Sequence, residues 1–290
     1  MKPPFSLAFL FPVLAIAAPD ISSIRPDLEI PPILEGCPSA GKRIEQTHPD
    51  WAGSEVYHLL YLPEDWKPGS GKKYPVIVEY AGNGPYKNKY GDISTGHPEG
   101  SKMGYGLSAG KGYIWLCLPY LSNDGKKNVT QWWGNKPKSA PGPTLDYAKA
   151  TVPWICQKYA GDPDKVFLCG FSRGAIACNF IGLNDDEIAK LWCAFLPYSH
   201  YDGVRRWGYP GSDPASALSR LRRLGKRPQF ITHEGNGIEA TKKYLDNSGV
   251  AGNFTFRQTG FRNHNDAWLL RPTALRQEIR KWMAAIVGKP

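Results

Sequence analysis

Hydrophobic and polar positions alternate in blocks along this chain, and the blocks have two periods. Residues 75–80 (Pro-Val-Ile-Val-Glu-Tyr) are almost continuously apolar and β-branched, as are 112–118 and 166–169. Such short runs suit strands covered on both faces of a sheet. Further strand-like runs occupy 56–62, 191–196, 229–232 and 253–257. Between them the spacing turns helical. Leu145, Ala148, Val152 and Ile155 recur at three and four residues, predicting a helix over 144–159. Helices are also expected over 173–181, 238–245 and 273–287. Strands and helices in alternation with short connections predict one α/β domain with a largely parallel sheet and helices on both faces.

The pattern breaks in four places. Residues 18–41 are Pro-rich, and Ile30-Pro31-Pro32-Ile33 is incompatible with a helix interior, so an irregular arm is expected ahead of a domain spanning 42–290. Three inserts, 82–102, 119–143 and 199–211, are rich in Gly, aromatic and basic residues. Each follows a strand, so all three should gather at the strand carboxyl ends, where ligands bind in open α/β sheets.

The extreme N-terminus has its own character. Met1-Lys2 precedes an apolar run over 5–16, and Ala15-Ile16-Ala17 places small residues where a signal peptidase reads. Residues 1–17 are therefore expected to be a signal peptide, with a secreted or periplasmic mature protein. The apolar run is too short to span a bilayer, and no later stretch is a membrane-span candidate, so no membrane insertion is expected. The mature protein is expected to be soluble, and a monomer is expected.

The chain has 290 residues, 41% of them hydrophobic, which supports a real core and excludes long disorder. Lys and Arg number 36 against 26 Asp and Glu, a net charge of +10. Such a balance admits nucleic acid, a membrane surface or an acidic glycan as partner. Export disfavours nucleic acid, and no amphipathic basic helix supports a membrane surface. Six cysteines lie without C-x-x-C spacing or neighbouring His, so no metal site or cofactor is expected, although export would permit one or two disulfides. Residues 106–112 imitate a phosphate loop but are one residue short, with Gly112 where Ser or Thr is needed.

One motif carries chemistry. Gly170-Phe171-Ser172-Arg173-Gly174 fits G-x-S-x-G directly between a strand and a helix. That context puts Ser172 on a sharp turn above the sheet, as a nucleophile, and offers the Arg173 N–H to an oxyanion. The chain here resembles the α/β-hydrolase family, from about residue 56 to the end. The carriers are Leu60-Tyr61-Leu62-Pro63, Tyr74-Pro75-Val76-Ile77-Val78 leading into Ala81-Gly82-Asn83-Gly84, the Gly-Phe-Ser-Arg-Gly elbow and a late His. The layout is similar to secreted feruloyl esterases and polyhydroxyalkanoate depolymerases, which carry a His-Gly loop where this chain has Ala81-Gly82. The resemblance implies Asn83 as second oxyanion donor and His264 as base. It also implies an acid between Ser172 and His264 in the chain. Glu239, Asp202 and Glu234 are the candidates, in that order of preference.

Trp133, His200 and Arg205 are expected to contact substrate, along with other insert aromatics such as Tyr86 and Tyr90. The expected activity is hydrolysis of a small-molecule or polysaccharide ester, glycan-linked or aromatic, through an acyl-enzyme. A serine peptidase of the same fold and a non-catalytic glycan-binding relative are the alternatives.

Overall fold

The computed structural model describes residues 18–131 and 141–288. The expected signal segment and Trp133 lie outside the described residues. A nine-stranded sheet organises the chain. Its strands are β1 (Ile33–Leu34), β2 (Arg43–Gln46), β3 (His58–Tyr61), β4 (Tyr74–Tyr80), β5 (Ile114–Leu118), β6 (Gly161–Phe171), β7 (Ala194–Tyr198), β8 (Gln229–His233) and β9 (Phe254–Gln258). Their spatial order is β1-β2-β3-β5-β4-β6-β7-β8-β9. From β5 to β9 every pairing is parallel, and β3 runs antiparallel to both its neighbours.

Helices cover both faces. On one side α2 (Gly142–Lys158), α3 (Arg173–Phe180), α4 (Asp186–Ala189), α5 (Pro214–Leu221) and α6 (Gly237–Asn247) share a core with Val76, Val78, Leu116 and Leu168. On the other, α1 (Met103–Ser108) and α7 (Ala274–Val287) pack on Ile77, Trp115 and Phe167. The alternation Val76/Ile77/Val78 divides one strand between the two cores, which is why β4 reads as continuously apolar.

Several elements differ from the sequence expectation. The strand expected over 191–196 begins at Ala194, because Leu191 closes the turn after α4 through its N–H to Ile188. The Pro-rich arm is mostly irregular, but Ile33 and Leu34 pair with Arg43 and Ile44 and add an edge strand. Residues 103–108 form helix α1 despite two glycines. Gly104 lies against the Trp115 ring and Gly106 against Leu269, so neither has room for a side chain. The helix start is held by Glu79, a fully buried carboxylate on β4. It accepts from the N–H groups of Lys102, Met103 and Gly104 and from Trp115 Nε1, at 2.8–3.1 Å. All six cysteines are free thiols. Among the described residues no helix is long and apolar enough to cross a membrane.

Register is what positions the site. Phe171 pairs with Tyr198 and Tyr198 with Thr232, so β6, β7 and β8 end nearly level. The residues that follow them, Ser172, Ser199 and Glu234, emerge side by side. Beside them lies the loop after β4, whose Tyr80 pairs with Gly170.

Candidate active site

Ser172 sits between β6 and α3 with φ 54° and ψ −114°, a strained backbone for any residue with a side chain. A Cβ at Gly170 would overlap the Gly174 carbonyl, and one at Gly174 would overlap the Tyr80 carbonyl. The two glycines are thus required for the elbow to close onto the end of β4. The Ser172 N–H is held by the Tyr198 carbonyl at 2.9 Å. Strain here is balanced by these contacts, and it leaves the hydroxyl facing the strand ends.

His264 Nε2 lies 2.9 Å from Ser172 Oγ, and His264 Nδ1 lies 2.6 Å from Glu234 Oε1. With a carboxylate opposite Nδ1, that nitrogen carries the proton, and Nε2 is left to accept from the Ser172 hydroxyl. Burial pushes the Glu234 carboxyl upward. The bond from His264 and the nearby His264 and His233 rings outweigh it and hold Glu234 below the usual glutamate range. Phe171, His200 and Tyr86 surround the His264 ring, with centroids 4.7, 5.3 and 5.4 Å away.

The first two acid candidates are elsewhere. Asp202 follows β7, but its carboxylate is buried against Arg220 of α5, accepting from Nε at 2.8 Å and from a second guanidinium nitrogen at 3.1 Å. Glu239 lies in the first turn of α6 and is exposed. Chain topology explains the placement: β8 stops at His233, so residue 234 stands at the strand end, while residue 239 has already turned onto the helix.

The oxyanion candidates are adjacent to the elbow. Arg173 opens α3, whose N-terminal dipole favours negative charge. The loop bearing Asn83 is pressed onto the elbow, because Gly82 lies between Phe171 and Ser94. Ser94 Oγ donates to the Gly82 carbonyl at 2.7 Å, and the Tyr120 hydroxyl donates to that of Ala81.

Of the expected substrate residues, His200 is half-buried between His264 and Trp207. Burial and the neighbouring His264 push its pKa down to about 3, so it is neutral. Arg205 is exposed, with its guanidinium 4.5 Å from the Trp207 ring centroid; the Arg173 guanidinium lies 3.3 Å from the same ring. A short hairpin, Tyr86–Lys87 with Ile93–Ser94, forms another wall. Tyr86, Tyr90 and Ile93 are three of only five large exposed hydrophobic residues among those described. Tyr86 and Ile93 line a surface depression with Pro85, Thr95 and Thr130.

Asp92, in the turn of that hairpin, was not singled out from sequence. It is buried, yet accepts from Asn88 Nδ2 at 2.8 Å and, at 3.1 Å each, from Asn263 Nδ2, the His264 N–H and Asn265 Nδ2. It therefore ties the aromatic hairpin to the loop that carries His264. Its sequence signal is faint, since its partners in the His264 loop lie more than 170 residues away. No group of three or more His, Cys, Asp or Glu side chains converges to hold a metal among the described residues.

No protein-family model and no curated protein sequence matches the chain. Solved structures do. An S-formylglutathione hydrolase from Agrobacterium tumefaciens superposes with a TM-score of 0.57 at 16% identity, over 85% of this chain and 95% of that one. A thermostable esterase gives 0.51 at 17% identity, over 84% and 62%. Dipeptidyl peptidase 4 from Porphyromonas gingivalis gives 0.52 at 15% identity, over 87% and 36%. The chain thus spans less than two thirds of the length of the last two. Together with the sheet order and the strand–elbow–helix around Ser172, these likenesses establish that the chain has the α/β-hydrolase fold.

Proposed function

We propose that the protein is a serine esterase that cleaves carboxylic esters through an acyl-enzyme. The observation that carries this reading is the unbroken hydrogen-bonded line Ser172 Oγ–His264–Glu234 at 2.9 and 2.6 Å, built on a strained elbow. In this reading the Ser172 oxygen attacks the ester carbonyl carbon, and its proton passes to His264 Nε2. Charge develops on the carbonyl oxygen and is met by the N–H groups of Arg173 and Asn83. The carbon–oxygen bond to the alcohol then breaks, and His264 returns the proton to the leaving oxygen. Water, deprotonated by His264, attacks the acyl-enzyme and frees Ser172. Glu234 holds the imidazole in the reactive tautomer and stabilises its transient positive charge.

A glycan-linked or aromatic ester suits the cleft walls. Tyr86, Tyr90 and Ile93 supply apolar and stacking surface on the hairpin, while Trp207 and Arg205 supply an aromatic face with a cation at its rim. Secretion is supported by the order of positive, apolar and small residues over 1–17.

The test is hydrolysis of p-nitrophenyl acetate by the purified protein and by Ser172→Ala. We expect the variant to lose at least a thousandfold in kcat. Equal turnover by the two proteins would sink the assignment. Comparable turnover of alanine p-nitroanilide would instead favour a peptidase.

A further inference from the structure

Ser199 follows β7 with φ 87°, in the left-handed region that favours glycine, and is 1% exposed. Its N–H continues the ladder to the Thr232 carbonyl at 2.8 Å, which turns the side chain across the end of β8. There its Oγ meets three groups at once: Glu234 Oε1 at 2.9 Å, His264 Nδ1 at 2.9 Å and His200 Nδ1 at 3.0 Å. We propose that Ser199 is a positioning residue, whose hydroxyl takes a hydrogen bond from His200 and gives one to Glu234, fixing the carboxylate opposite His264. The inference rests on the serine-hydrolase reading above.

Proton counting selects this arrangement. The Ser199 hydroxyl has one proton to donate. An ionised Glu234 only accepts, and the His264 Nδ1 proton already points at it across the shorter 2.6 Å contact. The Ser199 proton therefore goes to Glu234 Oε1, which leaves its lone pairs for His200 Nδ1–H. Because the Ser199 proton is already given to Glu234, the contact at 3.0 Å requires the His200 tautomer that carries its proton on Nδ1. The chain of donors runs His200 → Ser199 → Glu234 ← His264 ← Ser172.

Glu234 has little else to hold it. Its Oε2 is buried and has no hydrogen-bond partner among the described residues, with His233 Nδ1 3.7 Å off. Apart from the base itself, Ser199 gives the Glu234 carboxylate a hydrogen bond at 2.9 Å, with the Tyr198 hydroxyl also close to it. A strained non-glycine backbone persists where a side chain is needed, and here the needed group is the hydroxyl.

Three variants test the role, each assayed for kcat, KM and Tm on p-nitrophenyl acetate. Ser199→Gly relieves the backbone while deleting the hydroxyl. We expect a Tm no lower than wild type, KM within about twofold, and a kcat reduced roughly tenfold to a hundredfold, the size of one hydrogen bond to a charged group. Ser199→Ala should lose the same kcat. In a Glu234→Ala background, Ser199→Asp should recover at least tenfold of the lost kcat, because its carboxylate would reach the space from which Ser199 Oγ now touches His264 Nδ1. Wild-type kcat in Ser199→Gly overturns the proposal. So does a kcat loss matched by lowered Tm and raised KM, or a carboxylate at position 199 that restores nothing. If Ser172→Ala is as active as wild type, the underlying reading falls and this one with it. An active wild type with an indifferent position 199 removes only this inference.

Discussion

Replacing Glu234 with Gln deletes a charge and almost nothing else. The amide oxygen can take the place of Oε1, accepting from His264 Nδ1 and from the Ser199 hydroxyl, which now stand 2.6 and 2.9 Å away. The amide nitrogen then occupies the position of Oε2, which makes no hydrogen bond among the described residues. His264 keeps its tautomer, so the loss isolates the attraction between the carboxylate and the imidazolium formed during attack. About 4 Å between charge centres and an effective dielectric of about 20 give about 4 kcal/mol. At about 1.4 kcal/mol per decade that is on the order of a thousandfold in kcat. Initial rates at saturating p-nitrophenyl acetate measure it, with the melting temperature confirming an intact fold. Glu239→Gln is the control and should stay within about twofold, because that carboxylate is exposed on α6. The reasoning is refuted if Glu234→Gln keeps more than about a tenth of wild-type kcat, or if Glu239→Gln loses as much.

Three other outcomes follow from the structure. Asp92→Asn turns an amide N–H toward donors now satisfied by a carboxylate, so kcat should fall roughly tenfold or more as the His264 loop loosens; unchanged steady-state kinetics would exclude a positioning role. Glu79→Gln leaves one pair of inward-pointing N–H groups facing an NH₂, whichever way the amide turns. It should cost about 2–3 kcal/mol in urea unfolding, and a change below about 0.5 kcal/mol would contradict the buried-acceptor account. His58 is fully buried, and burial pushes its pKa down from 6.5 to about 3. The unfolded chain therefore binds a proton below about pH 6.5 that the native state does not, and stability falls as pH falls, by about 2 kcal/mol between pH 7 and pH 5 from this residue. His58→Phe should flatten that part of the pH dependence, and an unaltered slope between the two proteins would refute it.

The legible parts of the site are those made by neighbours in sequence. The elbow needs five consecutive residues, and its glycines follow from steric overlap within a single turn and the strand beside it. His264 is singled out in the sequence only through the family resemblance, by its polar loop between the last strand and the last helix, and the structure puts its Nε2 2.9 Å from Ser172 Oγ. The acid was not legible in the same way. Glu234 and Glu239 differ by five residues, and which one faces His264 depends on where β8 yields to α6. Asp202 follows a strand on the right face, but Arg220, 18 residues on, claims its carboxylate.

By itself, then, the amino-acid order determined what short-range sterics and periodicity govern: the alternation of strands and helices, the doubly covered β4 and the Ser172 elbow. Tertiary structure alone decided which side chains share the space beyond the strand ends. The level endings of β6, β7 and β8 bring Ser172, Ser199 and Glu234 together, and Asp92 reaches across more than 170 residues to hold the His264 loop. The physical reason is that hydrogen bonds and charges act over a few ångströms of space, whatever the separation along the chain.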